Sequence, residues 1–245
     1  MRRFYAAPDQ FYESEVHLSL DESRHLRDVL RLREGDEVSV FDGAGKEFLC
    51  RIESTGSGKQ ISILKIVSES TPPSPESGLD LTLAIALLKG EKFDLVIQKA
   101  TELGVTRVIP LQAKRADVKI NKIEAPKKLE RWKRIALEAA KQSGRARVPE
   151  IFLPAELDEL AAQNAKVVFF SERGGVSFDR VASDSSNKRQ IIAIVGPEGG
   201  WDDSEIMFAN ENGFEVVTLG GRILRAETAA IVVTALLQNR FGDVK

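Results

Sequence analysis

Two apolar strands in the last third of the chain each run into a glycine-bearing turn and then a helix, and few folds accommodate that arrangement twice. The first strand, Gln190 to Val195, leads into Gly196-Pro197-Glu198-Gly199-Gly200. The second, Phe214 to Thr218, leads into Leu219-Gly220-Gly221-Arg222-Ile223-Leu224-Arg225 and a helix expected over 226–240. Turns placed after a buried strand and before a helix expose backbone N–H and C=O groups at the carboxyl edge of a sheet, where α/β folds bind ligands. A small-molecule site is expected on these turns.

The preceding residues fit the same class. Leu79 to Leu88 is an apolar strand, and Glu91 to Leu103 sets Phe93, Val96, Ala100 and Leu103 on one helix face that Gly104 ends. A strand follows from Val105 to Leu111, and Pro126 opens a helix whose core face carries Leu129, Trp132, Ala136, Ala139 and Ala140. Trp132 is therefore read as a packing residue rather than a base-stacking platform. Further strands are expected at 149–153 and 166–171, with a helix near 155–163, a polar loop at 183–187 and a helix capped by Asp202 or Asp203. Alternating strands and helices point to a largely parallel sheet.

Ser68 to Gly78 is rich in breakers and lacks apolar periodicity, which marks a linker. Before it, residues 16–20, 37–41, 47–53 and 60–67 alternate or run apolar. The turns Asp42-Gly43-Ala44-Gly45 and Thr55-Gly56-Ser57-Gly58 lie between them. A short helix is expected from Asp21 to Leu30 with Asp21 as its cap. The expected division is a compact β-barrel over 1–70, a linker at 71–78 and an α/β domain over 79–245.

At 245 residues, with 42% hydrophobic and 29% charged side chains, the chain has the composition of a soluble globular protein. No apolar run approaches membrane-spanning length and no signal-type segment follows Met1-Arg2-Arg3-Phe4-Tyr5, so a cytoplasmic location is expected. One cysteine, Cys50, and two histidines, His17 and His25, leave no basis for a disulfide framework or a Cys/His metal cluster, and no metal is expected. The net charge of −2 hides an uneven distribution: from Arg107 to Arg147 thirteen cationic side chains face four acidic ones. Such an excess suits a polyanion, because phosphate neutralisation supplies most nucleic-acid affinity.

Several enzyme classes lack their signatures. Gly43-Ala44-Gly45 and Gly56-Ser57-Gly58 have no third glycine for a dinucleotide fingerprint, and Gly45-Lys46 and Gly58-Lys59 lack the earlier glycine and following hydroxyl of a P-loop. No G-x-S-x-G elbow is present.

Six blocks in order carry a resemblance that spans nearly the whole chain. They are His25 to Asp36, Val40 to Gly43, Lys89-Gly90-Glu91-Lys92 with Gln98 to Val105, Glu138 to Arg145, Gly196 to Gly200, and Leu219 to Ala229. The chain resembles the RsmE-type 16S ribosomal RNA uridine-N3 methyltransferases of the SPOUT superfamily. The resemblance implies a PUA-like RNA-binding barrel followed by an α/β domain whose C-terminal backbone forms a trefoil knot. It also implies S-adenosyl-L-methionine as cofactor, 16S rRNA in the small ribosomal subunit as substrate, and a homodimer. A SPOUT methyltransferase for another RNA nucleotide and a non-catalytic RNA-binding assembly factor are the alternative readings.

Carried onto this chain, the resemblance puts the cofactor against Phe170, Ser171, Gly196, Pro197, Glu198, Gly199, Gly200, Leu219, Gly220, Ile223, Leu224 and Thr228. Glycines there let a ligand lie against main chain. Methylating N3 of uridine requires removal of an imide proton and stabilisation of the resulting anion. Arg145 and Arg225 are candidates for the anion, with pairing to a carboxylate or phosphate as the structural alternative. Glu198 or Glu227 is the candidate proton acceptor, and Glu227 is the one better suited to capping a helix or holding loop backbone. Arg2, Arg3, Arg24, Arg27, Arg31, Lys114, Arg115 and Arg145 are expected on the RNA side.

Overall fold

The computed structural model describes residues 1–161, 165–182 and 190–245, and these form two compact units. The first comprises Met1–Glu76 with Ala140–Val148, the second Ser77–Ala139 with Pro149–Lys245. The separation at Glu76 falls inside the breaker-rich stretch, whereas the return of 140–148 to the first unit had no signal in the sequence.

In the first unit β1 (Arg3–Tyr5), β2 (Glu15–His17), α1 (Leu20–Arg24), β3 (Glu37–Phe41), β4 (Glu47–Ser54) and β5 (Ile63–Ser70) follow in order. The five strands make one sheet ordered β1-β3-β4-β5-β2, antiparallel except for the β1–β3 pair. Phe4, Val16, Leu18, Leu26, Val38, Val40, Cys50, Ile52 and Leu64 form its core. Burial pushes the Cys50 thiol up to about 12, which leaves it an inert core residue.

Helix α1 departs from expectation at both ends. Ser19, not Asp21, is the cap: its Oγ accepts the Glu22 N–H at 3.2 Å, while Asp21 and Glu22 occupy the first turn, where carboxylates favour the positive helix end. After five residues the helix widens into a π-helical turn, His25–Val29, and then stops. Arg31 (φ 54°), the one non-glycine residue with positive φ among the described residues, lies just beyond that turn.

The returning segment is held to the first unit by charge. Arg145, 3% exposed, donates to Glu76 at 2.7 Å, and Lys141 pairs with Glu22. Arg3 donates to Glu47 at 2.7 Å, to the Lys141 carbonyl at 2.9 Å and to the Arg145 carbonyl at 3.1 Å. The stretch expected to be a linker is thus partly structured: β5 runs to Ser70, and the Ser74 N–H donates to the Gly144 carbonyl at 3.2 Å.

The second unit contains β6 (Asp80–Ala86), α2 (Lys92–Glu102), β7 (Arg107–Leu111), α3 (Ala125–Ser143, its last turn belonging to the first unit) and β8 (Glu150–Ile151). Then come β9 (Lys166–Phe170), β10 (Val176–Ser177), α4 (Phe178–Ala182), β11 (Gln190–Val195), α5 (Asp203–Glu211), β12 (Glu215–Thr218) and α6 (Ala226–Phe241). The seven strands form one sheet, β10-β12-β9-β11-β6-β7-β8, and every neighbouring pair is parallel. Buried central strands account for the uninterrupted apolar runs: Leu81, Leu83, Ile85, Ile192 and Ile194 are all at most 1% exposed.

Trp132 is buried and packs its ring 4.7 Å from that of Phe93, as its helical spacing implied. The helix expected near 155–163 is a single 3-10 turn, Leu157–Leu160, within the described residues, and the polar loop expected at 183–187 lies outside them. The short β10 and α4 were not anticipated, because two residues of strand and five of helix are too few to show a period.

Candidate active site

The strand order explains where a site arises. β12, β9 and β11 are adjacent and parallel, so the loops leaving Thr218, Phe170 and Val195 emerge side by side at one edge of the sheet. Residues 170–172, 195–201, 218–226 and 229 line a cavity of about 540 Å³ there, within the range of small-molecule sites.

Glycine is required in this wall. A Cβ on Gly196 would lie 2.8 Å from the Trp201 ring, and one on Gly199 would lie 2.9 Å from the Arg115 carbonyl oxygen. Trp201, 1% exposed, is fixed because its indole N–H donates to the Phe170 carbonyl at 2.8 Å. Counted along the chain, the first cavity loop, after β9, is also tied to the second, after β11, through Arg173, which donates to the Trp201 carbonyl at 3.0 Å and pairs with Asp203 at 2.7 Å.

The polar groups are unevenly satisfied. Glu198 accepts from the Lys92 ammonium at 2.9 Å, and Lys92 lies 3.8 Å from Glu227. Thr218 lines the cavity, but its Oγ1 is sealed from solvent on the side of Gly175, where a Cβ would come within 2.8 Å of it, and has no hydrogen-bond partner among the described residues. Beside the second loop, Glu205 is buried and accepts the backbone N–H groups of Lys114 at 3.0 Å and Asp202 at 2.9 Å. Asp202 caps α5, and its hydrogen bonds from Ser204, with Arg115 adding to them, hold its carboxyl down to about 2.

Residues 75–238 match the RNA methyltransferase domain family, and residues 19–66 match the RNA methyltransferase PUA domain family. The ribosomal RNA small subunit methyltransferase E of Synechocystis is 37% identical, over 97% of this chain and 78% of its own. The chain belongs to the ribosomal RNA small subunit methyltransferase E family. The Neisseria gonorrhoeae member of that family, in a crystal structure bound to S-adenosyl methionine, superposes with a TM-score of 0.86 at 34% identity over 100% of both chains. A Legionella pneumophila structure in complex with the same cofactor gives a TM-score of 0.85 at 33% identity over 98% of both.

Within this family member, the cavity gathers most residues that the sequence assigned to the cofactor. Phe170, Ser171, Gly196 to Gly200, Leu219, Gly220, Ile223 and Leu224 line it, as does Arg225. Thr228 does not: it is exposed on α6, and Ala229 faces the cavity instead. Glu172, Trp201, Thr218 and Arg222 also line the wall and were missed, although Trp201 and Thr218 directly adjoin the glycine turns.

Six of the eight RNA-side candidates have partners within the chain. Arg3 is engaged by Glu47 and main-chain carbonyls, and its guanidinium stacks 4.8 Å from the centre of the Phe41 ring. Arg27 donates to Asp28 and to the Thr55 and Gly58 carbonyls, bracing a turn. Arg145 is buried on Glu76 and is absent from the cavity wall, so within the chain it makes the carboxylate pairing that was the structural alternative. Arg2 and Arg31 are exposed; Arg24, 3.7 Å from Asp21, and Lys114 and Arg115 beside the second cavity loop, which donate to Ser204 at 2.6 Å and Asp202 at 3.0 Å, are exposed as well.

Proposed function

We propose that this protein transfers a methyl group from S-adenosyl-L-methionine to N3 of a uridine in 16S rRNA of the small ribosomal subunit. The observation that carries the reading is the cavity at the adjacent ends of β12, β9 and β11, in a chain whose relatives are named small-subunit ribosomal RNA methyltransferases. Its wall suits that cofactor: an apolar floor including Trp201 and Val195, glycines at 196 and 199 that let the loop close on Trp201 and Arg115, and carboxylates and guanidiniums for a zwitterion.

The cofactor, when bound, supplies an electrophilic methyl group on a sulfonium. The remaining demands fall on the chain. Glu198, in the wall and held by the Lys92 ammonium at 2.9 Å, accepts the imide proton. Arg225, at the N-cap of α6 and in the wall, offsets the negative charge that develops on the base. Lys114 and Arg115 hold phosphates beside the second loop, and Arg2, Arg24 and Arg31 do so from the PUA domain.

The reading includes a homodimer and a knotted C-terminal backbone, as the family resemblance implies. No helix among the described residues is long and apolar enough to cross a membrane, and a ribosomal substrate places the activity in the cytoplasm.

The test is transfer of label from S-adenosylmethionine to small subunits isolated from cells lacking the enzyme, followed by nuclease mapping. Label on N3 of one uridine is the expected result. Label on another nucleotide would change the substrate, and a chain unable to bind the cofactor would overturn the reading.

A further inference from the structure

The cavity has two long walls of separate origin, 195–201 after β11 and 218–226 after β12, and each contains or adjoins a carboxylate. Glu198 lies in the first wall, and Glu227 directly follows the second in the opening turn of α6. A single side chain from a third element reaches both: Lys92, at the start of α2, lies 2.9 Å from Glu198 Oε1 and 3.8 Å from Glu227 Oε1. The helices that carry Lys92 and Glu227 pack against each other, which fixes the anchor.

We propose that Lys92 is a positioning residue that braces the two walls of the cavity, setting the separation at which the cofactor is gripped; the cofactor part of this inference rests on the function proposed above. Without the ammonium, two carboxylates would face each other with no intervening cation. One of them is poorly placed to tolerate that, because Glu227 Oε2 is already buried without a hydrogen-bond partner among the described residues. The energetic direction agrees. The hydrogen bond to Glu198 is the main influence raising the Lys92 ammonium above its ordinary value, partial desolvation opposes it, Glu198 and Glu227 charges add to it, and Arg225 subtracts. The ammonium therefore stays charged throughout the physiological range. An arginine at this position could also span both carboxylates, whereas methionine of similar length could span neither.

Two measurements on the full chain test the brace. In the ligand-free protein, Lys92→Met should speed amide hydrogen exchange in both 195–201 and 218–226, and Lys92→Arg should restore most of the protection. In calorimetric titration with S-adenosylhomocysteine, Lys92→Met should weaken binding about tenfold or more, the loss of a charge-assisted contact, with Lys92→Arg close to wild type. The KM for cofactor should rise with it while the KM for RNA holds. Should Lys92→Met fail to fold, Glu198→Gln, which keeps a hydrogen bond but removes one charge, should show the same pattern more weakly. Unchanged exchange in either wall, or failure of arginine to rescue, would overturn the brace. A wild-type protein that does not bind S-adenosylhomocysteine would instead overturn the cofactor reading, while the exchange experiment still decides the brace.

Discussion

The indole Nε1 of Trp201 donates to the carbonyl oxygen of Phe170 across 2.8 Å, joining the loop after β11 to the end of β9 beneath the cavity. The ring also packs 4.4 Å from that of Phe169, so one side chain serves as both floor and tie. Trp201→Phe keeps the apolar surface and removes the donor. The expected cost is about 1–3 kcal/mol, the penalty for losing a buried hydrogen bond, read as a lower urea midpoint with an unchanged m-value.

Because that ring is fixed, Gly196 has no room to grow. In Gly196→Ala the new Cβ would meet Trp201 Cε2 at 2.8 Å and Nε1 at 2.9 Å. A destabilisation of about 1–3 kcal/mol is expected, accompanied by weaker binding of S-adenosylhomocysteine. Gly221→Ala is the control: its Cβ would meet nothing within 4 Å, and stability should change by less than about 0.5 kcal/mol.

Arg145 separates a structural role from a chemical one. With its side chain 3% exposed and its guanidinium on Glu76, Arg145→Ala leaves a carboxylate without its buried partner. Thermal or urea unfolding should report a loss of about 3–5 kcal/mol. A variant with wild-type stability would refute the structural assignment.

Asp202 makes acid stability directional. Its carboxyl is held down to about 2 from an ordinary 3.8 by Ser204 and then Arg115, so the folded state binds the proton less readily than the unfolded chain. The associated stabilisation is complete above the unfolded value and disappears as pH falls through about 2. Asp202→Asn should therefore lower stability at neutral pH and flatten the dependence of the urea midpoint on pH between about 4 and 2. Parallel curves for the two proteins would contradict this.

Periodicity and turn chemistry are local properties, and what depends on them was legible in the chain. The apolar runs expected at 79–88, 105–111, 166–171, 190–195 and 214–218 contain five of the strands of the parallel sheet, and the helical stripe containing Trp132 became a buried face. The two glycine turns marked the cavity for different reasons: at Gly196 and Gly199 a backbone that approaches a ring or a carbonyl excludes a Cβ, and at Gly220 a positive φ favours glycine.

What only the tertiary structure decided concerns partners distant along the chain. Nothing near Arg3 or Arg145 announces Glu47 or Glu76, the carboxylates on which the folded chain holds two arginines that the sequence offered to RNA. Lys92, Glu198 and Glu227 meet although more than a hundred residues separate the first from the others. The cap on α1 fell to Ser19 and the α5 cap to Asp202, choices between neighbours that a short-range pattern leaves open. A sequence shows which side chains are apolar and where the backbone must turn. Which charge meets which is set by how strands are ordered across a sheet, and that order places β9 between β12 and β11.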